Sequence, residues 1–136
     1  MSQPTASDQE DTVLVVDQDV IVRMNVSEYL RQCGYRVIEA ADEDESWLVL
    51  KDANIRVDVL FTEIRSQNSG DTFAFAQAVK EQRPTVDVIL AGSLEGAAKA
   101  AAGICEDGPL EKPFHPETLV QRIRRLKAAR KRIVAR

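Results

Sequence analysis

The sequence predicts an α/β fold, a doubly wound parallel sheet with helices on both faces. Short apolar runs and segments of helical spacing alternate five times along the chain, the pattern of strands joined by crossover helices. The run Thr12–Val16 is short and largely β-branched, which suits a strand buried on both faces. A length of 136 residues with 44% hydrophobic side chains can bury one core without disulfide or metal staples.

Residues 1–11 read as a disordered, acidic leader. Thr12–Val16 is the first strand, and Val22, Val26, Tyr29, Leu30 and Cys33 then fall at helical spacing before Gly34. A glycine there is a natural C-terminal stop. Tyr35–Glu39 reads as the second strand. Asp42 and Glu45 have the spacing of a capping box, with Trp47, Leu48 and Leu50 as apolar contacts beyond it. Val57–Thr62 is the third strand and Ser66–Gly70 a polar loop. Phe73, Phe75, Ala76 and Val79 mark a helix that must end before Pro84. Val86–Leu90 is the fourth strand, followed by an Ala/Gly-rich helix over about Leu94–Ala102 and a short strand near Leu110. A last helix opens at Pro116 and lines up Leu119, Ile123 and Leu126.

Composition removes several classes of function. No apolar run approaches the ~20 residues that span a bilayer, and the N-terminus lacks the basic start and apolar stretch of a secretory signal. The expected location is the cytoplasm. Cys33 and Cys105 are the only cysteines and His115 the only histidine, which argues against a Cys/His zinc site or nucleophile pair. No Gly-rich phosphate loop follows the first strand, so a nucleotide-binding enzyme ranks last. The net charge is −4, yet Arg122–Arg136 holds eight of the eighteen basic residues and no acid. Cations near a helix C-terminus are favoured by its dipole, and this reading stands above nucleic-acid contact.

In such a sheet function gathers at the carboxyl ends of the strands. Asp17-Gln18-Asp19 follows the first strand and Glu63 the third; Ala91-Gly92-Ser93 follows the fourth and Glu111-Lys112-Pro113-Phe114 the fifth. Acids beside a lysine can hold a hard cation and an anionic group.

These residues resemble the receiver domains of two-component signalling. Glu111-Lys112-Pro113-Phe114 before an amphipathic helix carries most of the likeness, with Leu14–Asp17 and Val59–Arg65 adding to it. The resemblance covers about residues 12–128 and leaves 129–136 as a basic extension of the last helix. It implies a flavodoxin-like (βα)5 fold with five parallel strands in the order 2-1-3-4-5. It also implies a phosphorylation pocket: an acceptor aspartate after the third strand, Mg²⁺-binding acids after the first, a Ser or Thr after the fourth and a lysine after the fifth.

The pocket departs from that pattern at several positions. Asp17 matches the first acid, but Gln18 stands where the main Mg²⁺-binding aspartate is expected, and an amide lacks its charge. Asp19 matches a further acid and is better read as the N-cap of the first helix. Glu63 occupies the acceptor position, one methylene too long for in-line transfer but able to imitate a charged state. Ala91 replaces the hydroxyl residue, and Pro109 stands where an aromatic rotamer switch is usual. Lys112 is kept, available to Glu63 or an anion, and the resemblance implies a cis Lys112–Pro113 bond. Ser66 and Gln67 replace the usual Met-Pro.

The expected function is a non-enzymatic signalling module that works by protein–protein contact, independent of phosphorylation and of any required cofactor. Mg²⁺ binding, weakened, falls to Asp17 and Glu63. The expected partner acts in trans, a histidine kinase or another regulator, with homodimerisation through the fourth helix, fifth strand and last helix as a further candidate. Two alternatives stay open: a residual Mg²⁺-dependent phosphoacceptor using a displaced residue such as Thr62 or Ser66, and nucleic-acid contact through the basic helix.

Overall fold

A computed structural model describes residues 11–64, 69–92, 110 and 114–134. The first strand, β1 (Thr12–Val16), leads into helix α1 (Val20–Gln32), and β2 (Arg36–Ala40) into α2 (Glu43–Leu50). Then come β3 (Val59–Glu63), α3 (Ser69–Gln82), β4 (Asp87–Ala91) and the closing helix α4 (Pro116–Val134). The strands form one parallel sheet in the order β2-β1-β3-β4. Leu110 stands beside β4 as an isolated parallel bridge to Ala91, donating to Leu90 O at 2.7 Å and accepting from Gly92 N at 2.9 Å. It holds the place of the expected fifth strand. The rest of that strand and the Ala/Gly-rich segment, about 94–102, lie outside the described residues.

Side chains alternate across the sheet with the two-residue period of a strand. Leu14, Val16, Leu60, Val88 and Leu90 face one core, filled by Leu50 of α2 and by Phe75, Ala76 and Val79 of α3. Val13, Val15, Val59, Phe61 and Ile89 face the other, closed by Val26 and Leu30 of α1 and by Leu119, Ile123 and Leu126 of α4. Helices therefore cover both faces, as the uninterrupted apolar strands require.

The helix termini follow local chemistry. Asp19 caps α1, accepting from Ile21 N at 2.9 Å and Val22 N at 3.2 Å. Gly34, at φ 99°, turns the chain out of α1, a conformation that favours glycine. Asp42 caps α2 by accepting from Glu45 N at 2.9 Å. Glu45 returns a bond one residue earlier than a capping box predicts, to Ala41 N at 3.1 Å.

Three expectations change. Leu48 is 77% exposed, because it lies about 200° around the helix from buried Ser46 while Leu50 returns to the core side. Ser69 and Gly70 belong to α3, not to the preceding loop; Asp71 gives the first turn an acid that suits the helix dipole. Asp11, assigned to the leader, is buried and receives Lys127 Nζ at 2.6 Å. Residues 1–10 lie outside the described residues.

The closing helix runs past the sheet without a break to Val134. Its cationic end packs at the amino edge of the strands, where Arg130 donates to the Asp87 carboxylate at 2.8 Å and to Pro84 O at 3.3 Å. The hydrogen bond to Asp87 raises the Arg130 pKa above its ordinary value.

Candidate functional site at the carboxyl edge of the sheet

The strand register assembles the site. Val16 pairs with Thr62, and Glu63 pairs with Ala91, so Asp17, Glu63 and Ala91 end adjacent strands at the same edge. Neighbouring strands in a sheet lie ~4.8 Å apart, which puts these three positions within one small area.

Asp17 is buried, and its backbone is fixed on two sides. Its N–H donates to Ala40 O at 3.1 Å, and its carbonyl accepts from Arg23 Nη1 at 2.8 Å. One carboxylate oxygen, Oδ1, accepts from Asp19 N at 2.9 Å and so holds the turn into α1. Gln18 and Asp19 are exposed beyond it. Asp19 spends its carboxylate oxygen Oδ1 on the helix N-terminus.

Glu63 is half-buried at the last position of β3. Beside it Ala91 is fully buried, and its carbonyl accepts from Ile64 N at 2.7 Å. A small residue suits this crowded crossing. At the following position a β-carbon on Gly92 would come within 3.0 Å of the Ile64 β-carbon. Thr62, named above as a displaced acceptor, is buried within β3. Phe114, from the motif after the fifth strand, packs edge-on against Phe61 with ring centroids 5.6 Å apart. Pro109, Lys112, Ser66, Gln67 and Ser93 lie outside the described residues.

Sequence reasoning missed two features of this edge, and only the second left a signal in the sequence. Arg23 bridges the Asp17 carbonyl to the Glu39 carboxylate, at 3.3 Å, and Arg31 reaches the other Glu39 oxygen at 3.2 Å. Only the register of α1 on β2 reveals that chain of contacts. Val20, Ile21 and Met24 expose apolar surface on the first turns of α1, at the rim of the site. Their signal was present: Val20-Ile-Val-Arg-Met24 is apolar around more than one helix face.

Among the described residues no group of three or more His, Cys, Asp or Glu side chains is placed to hold a metal ion.

A parallel sheet in this order, with acids at its carboxyl edge, belongs to the flavodoxin-like class of folds that includes receiver domains. The family model of the response regulator receiver domain matches residues 13–124, and the chain belongs to that family. It is a receiver domain of the two-component signalling type.

Among solved structures, a CheY-like receiver domain protein from Methanospirillum hungatei superposes with a TM-score of 0.77 at 18% identity, covering 90% of this chain and 97% of that one. The chemotaxis response regulator CheY4 of Vibrio cholerae gives 0.67 at 30% identity, covering 85% and 97%. Among curated proteins, the two-component response regulator-like protein APRR7 of Arabidopsis thaliana is 40% identical over 52 residues, 38% of this chain and 7% of that protein. The aligned stretch is thus a small part of the plant protein's length.

Proposed function

We propose that this receiver domain signals by protein–protein contact without a phosphorylation cycle of its own. The observation that carries the reading is the pairing of Glu63 with Ala91 at the ends of β3 and β4. Glutamate keeps a fixed negative charge where the family places its acceptor. The neighbouring residue has no hydroxyl to follow a phosphoryl oxygen. On this reading the chain is not an enzyme and requires no cofactor.

The donor set suits a tightly held divalent cation poorly. Mg²⁺ prefers near-octahedral oxygen ligands and is held largely by charge. Here Gln18 is neutral and exposed, and Asp17 already commits one oxygen to the turn into α1. That leaves Asp17 and Glu63 as the carboxylates that could share an ion.

The partner acts in trans, a histidine kinase or another regulator of the same pathway, and the compartment is the cytoplasm. No helix among the described residues is long and apolar enough to cross a membrane. Exposed Val20, Ile21 and Met24 beside Asp19 offer such a partner apolar surface next to charge. Contact with nucleic acid is less favoured, because Lys127 and Arg130 are bound to Asp11 and Asp87 of the domain itself. A homodimer through the expected fourth helix, fifth strand and last helix is a further candidate assembly.

An Mg²⁺ titration followed by NMR tests the metal half of this reading. The native chain should show no saturable shifts at Asp17, Gln18 and Glu63 below about 10 mM, as its carboxylate set implies. Saturable shifts at those three residues below that concentration would overturn it.

A further inference from the structure

A second site lies at the opposite, amino edge of the sheet, in a groove of about 490 Å³ lined by Thr12, Arg36, Ile38, Asn54, Ile55 and Arg56. Thr12 and Arg36 are register partners at the start of β1 and β2. Arg36 and Ile38 stand two residues apart on β2 and therefore share one face. The other wall is the loop after α2, held by Asp52: its carboxylate accepts from Asn54 N at 2.8 Å and its carbonyl from Ile55 N at 3.1 Å.

Charge and apolar surface are arranged together here. Ile38 and Ile55 are partly buried against the core and form the apolar part. Asp58 accepts from Arg56 Nε at 2.9 Å with one oxygen and from Thr12 N at 2.8 Å with the other, which orients Arg56 while leaving its side chain 74% exposed. Arg36 is exposed and makes no ion pair with any described residue. Two guanidinium groups from different elements thus face one groove, and the nearby carboxylates of Asp52 and Asp58 each accept from the chain itself, Asp52 from Asn54 N and Asp58 from Arg56 and Thr12 N. Guanidinium groups bind carboxylate and phosphate through paired N–H donors. The volume falls in the range of small-molecule sites, ~300–1,000 Å³.

We infer that this groove binds a small organic anion, a carboxylate or phosphate head carried on an apolar body. The head sits between Arg36 and Arg56, and the body lies on Ile38 and Ile55. The site is separate from Asp17 and Glu63, so it stands or falls independently of the phosphorylation reading.

The test is an NMR titration of the full chain with phenyl phosphate, benzoate, inorganic phosphate and neutral benzamide. Phenyl phosphate and benzoate should give saturable shifts at Arg36, Ile38 and 54–56. Benzamide and inorganic phosphate, each lacking one half of the ligand, should bind at least about tenfold more weakly. Arg36→Gln and Arg56→Gln, both at exposed positions, should each weaken phenyl phosphate binding about tenfold while the remaining spectrum stays native. Equal binding of benzamide, unchanged affinity in both variants, or shifts that track protein concentration without any anion would overturn the inference. The last result would assign the groove to a second copy of the chain.

Discussion

Glu63 and Ala91 end neighbouring strands, and each alters what its position can do chemically. A glutamate carboxylate sits one methylene farther along its side chain, and phosphoryl transfer depends on in-line placement. Alanine at position 91 is fully buried at the end of β4, and its methyl group offers no hydrogen-bond donor or acceptor. A second residue carries a stability prediction. The Ser27 hydroxyl is fully buried in α1 and has no hydrogen-bond partner among the described residues. Ser27→Ala removes that unpaired group and improves helix propensity, so urea unfolding should show a gain of about 0.5–1 kcal/mol. A loss of more than about 1 kcal/mol would mean that the hydroxyl is satisfied in solution. That Asp17, Glu63 and Ala91 reach one edge of the sheet was legible in the sequence, because each closes an apolar run. What the Asp17 carboxylate does was not: its bond to Asp19 N depends on the dihedral angles of a three-residue turn.

At the scale of elements, the closing helix is fixed at its cationic end by Lys127 to Asp11 and Arg130 to Asp87. Both acids are more enclosed than the cations they receive, with side chains 12% and 18% exposed. A double-mutant cycle on Arg130 and Asp87 should give a coupling of about 0.5–1 kcal/mol, shrinking in high salt. Zero coupling at low salt would return Arg130 to the solvated face. The sequence located every described strand and helix to within a few residues, since apolar spacing and breakers such as Gly34 and Pro84 act locally. It could not pair Lys127 with Asp11, because that contact spans 116 positions and exists only once the sheet has closed. Leu48 shows the converse limit. In an eight-residue helix, too few positions define the buried face for apolar identity alone to assign it.

Across the whole molecule, one sheet serves two cores, and its central strands are sealed between helices. Ile89 is fully buried in β4 against α4 and α1 residues. Ile89→Ala should destabilise by about 2–5 kcal/mol in denaturant unfolding, and a cost under about 1 kcal/mol would show that this core is loosely packed. The same architecture separates two regions by the height of the sheet: the receiver site at the carboxyl edge and the Arg36–Arg56 groove at the amino edge. On the function proposed above, the carboxyl-edge site has lost its phosphorylation chemistry while the fold stays intact. Intact-mass analysis after incubation with Mg²⁺ and acetyl phosphate, on the native chain and on Glu63→Asp, tests it most directly. The native chain should gain no phosphoryl group. A stoichiometric, Mg²⁺-dependent phosphoryl adduct on the native chain would contradict it.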